Sequence, residues 1–107
     1  MITRRHDRIN FPLIAGMVLA HLPALLARWL PDGHREGCEW VARNPTRADR
    51  HPGSFKINLQ SGRWADFATG VKGGDVISLA AYLFGLTQVE AARSIAAMLG
   101  IQSGRGQ

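Results

Sequence analysis

Cysteine is almost missing from this sequence: Cys38 is the only one in 107 residues. A lone thiol excludes an intramolecular disulfide, fits a reducing cytoplasm, and cannot by itself nucleate a cysteine-based zinc site. Carboxylates are scarce as well. The 8 Asp and Glu are scattered along the chain, which leaves a two-metal polymerase centre without donors. Ser54, Ser61 and Ser78 have no histidine close by in sequence, so no nucleophile–base pair stands out unless folding brings up His34 or His51. A long unbroken apolar run is also lacking. The stretch from Phe11 to Leu30 is interrupted by His21, Pro23 and Arg28, and no small-residue cleavage site follows it. Arg4, Arg5 and Arg8 resemble the basic start of a signal peptide, but Asp7 and those interruptions argue against export or membrane insertion. The expectation is a cytoplasmic protein without a membrane anchor and without catalysis of its own.

What is present is a normal globular share of apolar residues, 46%, in a chain long enough for one modest core. No internal repeat is visible. The charge is uneven. Between Arg43 and Lys72 there are six bases (Arg43, Arg47, Arg50, Lys56, Arg63, Lys72) and two acids (Asp49, Asp66), giving +4 of the total +5. Concentrated positive charge favours a polyanionic partner, with a merely solvated basic surface as the plainer alternative.

Pro12 suits the first turn of a helix. Leu13, Met17, Ala20 and Ala24, and then Leu22, Leu25, Leu26, Trp29 and Leu30, recur at helical spacing. An interior proline loses a hydrogen bond and clashes with the turn before it, so Pro23 should kink or split this long helix near His21. Pro31-Asp32-Gly33 ends it. Glu39 to Arg43 reads as a short strand with Trp40 and Ala42 on one face. Phe55, Ile57 and Leu59 alternate with Lys56 and Asn58, the period-two pattern of a half-buried strand. Gln60-Ser61-Gly62 makes a turn, and Arg63 to Phe67 returns as its partner. Asp75 caps a helix from Val76 to Phe84 that Gly85 stops. Thr87-Gln88-Val89-Glu90 is a capping box for a second helix, ended by Gly100. The glycines of GVKGGD lack the Gly-Lys-Ser/Thr ending of a phosphate loop, and Asp75 would repel a phosphate, so the run reads as a turn and a helix cap.

Three runs carry a resemblance: Pro52-Gly53-Ser54-Phe55, Asp66-Phe67-Ala68-Thr69-Gly70 and Gly74-Asp75-Val76-Ile77. Together they resemble the zinc-ribbon domain at the N-terminus of bacterial and phage DNA primases. GRWADFATG followed by KGGD is similar to the ribbon-like domain of primase–helicase proteins of phages and plasmids. In that family a Cys-Pro-x-His knuckle precedes a Pro-Ser-Phe strand. A Cys-x-x-Cys-Gly knuckle follows the hairpin, and then comes a Gly-Asp/Asn-x-Ile helix start. The resemblance covers roughly residues 38–100. It implies an α+β fold: a small antiparallel zinc-ribbon-like sheet of about three strands, a long, kinked or split N-terminal helix, and two C-terminal helices. Residues 1–10 would form a flexible basic arm, 11–101 a single domain with its ribbon core at 38–75 and its helical pair at 76–100, and 102–107 a disordered tail.

With one residue inserted at Gly53, the metal-ligand positions fall on Asn44, Arg47, Asp66 and Thr69. Only Asp66 is a suitable donor, and Arg47 would repel a cation, so the zinc is expected to be absent and no other cofactor is called for. A charge-assisted Arg47–Asp66 pair, with Asn44 and Thr69 closing hydrogen bonds, is one replacement; apolar packing by Trp64 and Phe67 is the other. In the resembling family, primer synthesis belongs to a separate domain, and the ribbon engages template DNA.

The candidate phosphate contacts are Arg43, Arg50, Lys56, Arg63 and Lys72, with Trp64 or Phe67 for base stacking. The expected function is that of a single-stranded-DNA-binding accessory domain of a primase-like replication protein from a mobile element. The alternative is an interaction module that docks a primase catalytic domain or a replicative helicase through its helical face, DNA binding having been lost.

Overall fold

The computed structural model describes residues 9–48 and 53–100. The expected tail, Arg50, and the expected arm apart from Ile9 and Asn10 lie outside the described residues. The fold is α+β, as anticipated, with helices α1 (Phe11–Leu19), α2 (Leu22–Trp29), α3 (Val76–Phe84) and α4 (Gln88–Leu99). The strands are β1 (His34–Glu36), β2 (Glu39–Ala42), β3 (Phe55–Asn58), β4 (Trp64–Asp66) and β5 (Lys72–Gly73). They form one antiparallel meander in the order β1-β2-β3-β4-β5.

Two expectations need correction. The sheet has five strands among the described residues, not about three. β1 escapes notice because its three residues, His34, Arg35 and Glu36, are all exposed and carry no apolar alternation. β5 is two residues long and sits inside a glycine run that reads as loop. The N-terminal stretch is not one long helix; of the two outcomes expected at Pro23, kinked or split, it is split, into two short helices bent by 88° at Ala20–His21. Pro23 lies in the first turn of α2, where its missing N–H leaves no bond unmade. Asn10 caps α1 by accepting the Leu13 N–H at 3.1 Å. The buried stripe of α1 is Ile14 and Val18, continued by Leu22, Leu25 and Leu26 of α2. Leu13 and Met17, which share the same spacing one residue earlier, face outward at 48% and 44% exposure. No single helix among the described residues is long and apolar enough to cross a membrane. The bent α1–α2 pair passes only by combined length and composition.

The C-terminal helices end as their sequence dictates. Asp75 and Ser78 form one reciprocal capping box, and Thr87 and Glu90 form another. Gly85 and Gly100 close α3 and α4 in the left-handed conformation, at φ 66° and 77°. Helices α1, α3 and α4 pack on one another, and their buried residues join Phe55, Ile57 and Trp64 from the sheet in a single core.

Strand alternation then sorts the sheet residues. Phe55 pairs with Asp66, Lys56 with Ala65, and Ile57 with Trp64. Phe55, Ile57, Trp64 and Asp66 are all buried and look inward. Lys56, Ala65 and Lys72 fall in one register row on the opposite, outer face. The β3–β4 turn is fixed by Gly62 at φ 81° and by Asn58, whose Oδ1 accepts the N–H groups of Gln60 and Ser61 at 2.8 and 2.9 Å.

Gly73 is a tight point of the sheet, since a Cβ there would collide with the Trp64 indole and the Ser78 hydroxyl. Gly74, next to it, has open space. Gly73→Ala should therefore destabilise the domain by about 1–3 kcal/mol through overpacking. Gly74→Ala should stay within about 0.5 kcal/mol of the parent. Urea unfolding of the two variants checks the contrast.

Candidate nucleic-acid interface and the polar cluster behind it

The expected ligand positions Asn44, Arg47 and Asp66 meet on the inner side of the sheet. The loop after β2 carries Asn44 and Arg47, and β4 carries Asp66. Asn44 is 1% exposed and Asp66 0%. Burying a carboxylate is costly unless it is paired and hydrogen-bonded. Here the pairing is bidentate: Arg47 Nε donates to Asp66 Oδ2 at 2.8 Å, and Nη2 to Oδ1 at 3.2 Å. Asn44 Nδ2 donates to Asp66 Oδ2 at 2.8 Å, and the Ala68 N–H donates to Oδ1 at 2.9 Å. Arg47 Nη2 also reaches Ser54 Oγ at 3.3 Å.

Sequence reasoning missed two further members, Thr46 and Tyr82. Asn44 Nδ2 donates to the Tyr82 hydroxyl at 2.8 Å. That hydroxyl lies 2.9 Å from Thr46 Oγ1, which in turn lies 2.8 Å from Asn44 Oδ1. Each hydroxyl has one proton, so the ring closes in a single sense: Asn44 to Tyr82, Tyr82 to Thr46, and Thr46 to Asn44. The Thr46 N–H adds a bond to Asn44 Oδ1 at 2.9 Å. All four hydrogen-bonding positions of the Asn44 amide are used, which fixes its orientation. Tyr82 brings α3 into the cluster, and its ring stacks on Trp64 with centroids 4.9 Å apart. It is the only tyrosine in the chain and has no motif around it to mark its role. No buried side-chain nitrogen or oxygen among the described residues lacks a hydrogen-bond partner.

Zinc does not fit this cluster. Asp66 is the one suitable donor, and both of its oxygens are engaged by Arg47 and Asn44. Nor do the described residues contain a group of three or more His, Cys, Asp or Glu able to hold a metal. Two expectations about the cluster do not hold. The Thr69 side chain stands apart: its hydroxyl accepts the Val71 N–H at 3.4 Å, and only its backbone N–H turns back, to the Asp66 carbonyl. The apolar alternative also fails, because Phe67 is 70% exposed and Trp64 packs toward Phe55 and Tyr82.

The outer face holds three of the expected phosphate contacts. Lys56, Arg63 and Lys72 line an open groove of about 580 Å³, together with Glu39, Asn58 and Phe67. Lys56 Nζ sits 5.8 Å from the Phe67 ring centroid. No carboxylate pairs with any of these three cations among the described residues. Arg43 is separate; it lines a smaller groove of about 240 Å³ with Trp29, Asp32 and Arg47. Trp64, expected as a stacking surface, must be withdrawn from the interface. It is 5% exposed, faces the core, and donates its indole N–H to Ser78 Oγ at 2.9 Å. Phe67 has the open ring, since it sits one residue past the inward-facing Asp66 and points the other way.

The Arg47 guanidinium bonds, which outweigh the opposing effect of burial, hold the Asp66 carboxyl well below the usual carboxylate range, with Asn44 and the Ala68 N–H helping. A carboxylate with a depressed folded-state pKa stabilises the fold fully above its unfolded value, about 3.9. That contribution is lost as pH falls from there toward the folded value. Asp66→Asn should therefore flatten the decline of stability below about pH 4. At pH 7, Arg47→Met, which strands the buried charge, should cost about 3–5 kcal/mol. Urea titrations at stepped pH measure both.

No protein-family model and no curated protein matches this sequence.

Proposed function

We propose that this chain is a metal-independent accessory domain of a primase-like replication protein, binding single-stranded DNA on the outer face of its sheet and contributing no catalysis itself. The observation that carries this reading is the convergence of Lys56, Arg63 and Lys72, without carboxylate partners, around a groove that also offers the exposed ring of Phe67. Cations that track a backbone beside an aromatic platform suit an unpaired strand, whose bases are free to stack. The likeness of the hairpin and helix start to primase ribbons supplies the replication context. The Arg47–Asp66 cluster explains how such a ribbon holds together without zinc.

The rival reading is a docking module for a primase or helicase partner. Its support is the outward-facing Leu13 and Met17, one turn apart on α1. Salt dependence separates the two. Each neutralised phosphate contact on a single strand contributes roughly −0.7 to the slope of log K against log salt. Replacing Lys56, Arg63 and Lys72 together with glutamine should weaken binding of a labelled oligonucleotide and flatten that slope by about two. Fluorescence anisotropy across a salt series measures it. Absence of binding by the parent protein would favour the docking module. A chelator should leave the urea unfolding curve unchanged, and a shifted midpoint would contradict metal independence.

A further inference from the structure

The groove owes its depth to two small residues. Lys56, Ala65 and Lys72 stand in one row across β3, β4 and β5, so a methyl group lies between two long cationic side chains. The Cα atoms of the two lysines are about 10 Å apart, two strand spacings. Along β4 the same face carries Arg63 two residues before Ala65 and Phe67 two residues after it, each about 7 Å away. The ladder continues to both ends, through Asn58 N–H to the Arg63 carbonyl and Phe67 N–H to the Ser54 carbonyl. The β5 side is open as well. A Cβ on Gly73 would point inward at Trp64 and Ser78, so one on the next residue, Gly74, points outward, and it meets nothing within 4 Å. Ala65 and Gly74 both line the groove.

The fold demands neither small residue. Alanine is a poor strand former, and a β-branched side chain suits a half-buried position such as Ala65 better. Gly74 has no positive φ and has room for a side chain. What the pair does provide is access. Cations on a flat face meet a polyanion at their tips alone. A strand lowered onto Ala65 has an ammonium group on each flank, and its bases come within reach of the Phe67 ring.

Building on the single-stranded-DNA reading, we propose that one unpaired strand lies lengthwise along β4, its backbone seated on Ala65 between Lys56 and Lys72. Ala65 and Gly74 are then binding residues by virtue of their size. They set the depth and the path of the strand, while the cations supply the attraction.

The test fills the groove without changing a charge. Labelled dT12 is titrated at neutral pH and fixed salt with the full chain, with Ala65→Ile and Gly74→Val, and with Ala65→Ser, which leaves the floor open. Urea unfolding verifies that each variant is folded. Ala65→Ile and Gly74→Val should each weaken binding by at least about tenfold, the scale of an extra methylene in a fitted pocket, while Ala65→Ser binds like the parent. Parent-like affinity in either filled variant overturns the proposal, because the strand would then ride on the tips of the cations. An equal loss in Ala65→Ser overturns it too, since size would not be the cause. Should Ala65→Ile fail to fold, Gly74→Val decides by the same criterion. Failure of the parent to bind dT12 defeats the DNA-binding reading itself, a distinguishable result.

Discussion

Asp66 is a carboxylate with no solvent exposure, and the arrangement on its side of the sheet follows from keeping it charged. An unpaired carboxylate in that position would cost several kcal/mol. The bidentate Arg47 guanidinium, the Asn44 amide and the Ala68 N–H together saturate its oxygens. Those donors come from the loop after β2 and from the turn after β4. Asn44 then ties in α3 through Tyr82. One charge thus links a loop, a strand and a helix, which is the kind of cross-linking that a structural metal provides in a small domain. A buried ion pair is weak evidence for net stability. What it does enforce is geometry, because each partner tolerates few alternative positions.

How much of this was legible in the sequence depended on how local the signal was. The N-cap at Asp75, the capping box at Thr87, the glycine stops at Gly85 and Gly100, and the alternation of Phe55, Lys56, Ile57 and Asn58 all depend on near neighbours, and they read correctly. The break between α1 and α2 was also visible, because Pro23 imposes it on the backbone. The buried side of α1 was not, since Ile14 and Val18 share their four-residue spacing with Leu13 and Met17, and tertiary packing decides between them. β1 carries no apolar alternation and exists because it hydrogen-bonds to β2. The Arg47–Asp66 pairing could be anticipated from the expectation that Asn44, Arg47, Asp66 and Thr69 occupy facing positions. The closure by Tyr82 and Thr46 could not, because it depends on where α3 lands on the sheet. Trp64 was ambiguous for a simple reason: aromatic content near basic residues does not say which face of a strand an aromatic occupies.

The two faces of the sheet divide the chemistry. The inner face joins Phe55, Ile57 and Trp64 to the helices and holds the polar cluster at its edge. The outer face gathers Lys56, Arg63, Lys72 and Phe67. Trp64 sits at the boundary, with its ring against Phe55 and Tyr82 and its N–H on Ser78, the residue that also completes the cap of α3. The start of α3 is thereby fastened to the strand whose neighbours form the groove.

The alternation along β4 has one more consequence. Arg63, Trp64, Ala65, Asp66 and Phe67 send successive side chains to opposite faces, so a slip of one residue against β3 would bury Ala65 in place of Trp64 and Asp66 and expose those two to water. Asp66, locked to Arg47 and Asn44, fits only one alignment. It acts as a register pin, setting which residues of β4 the outer face displays without touching anything that binds there.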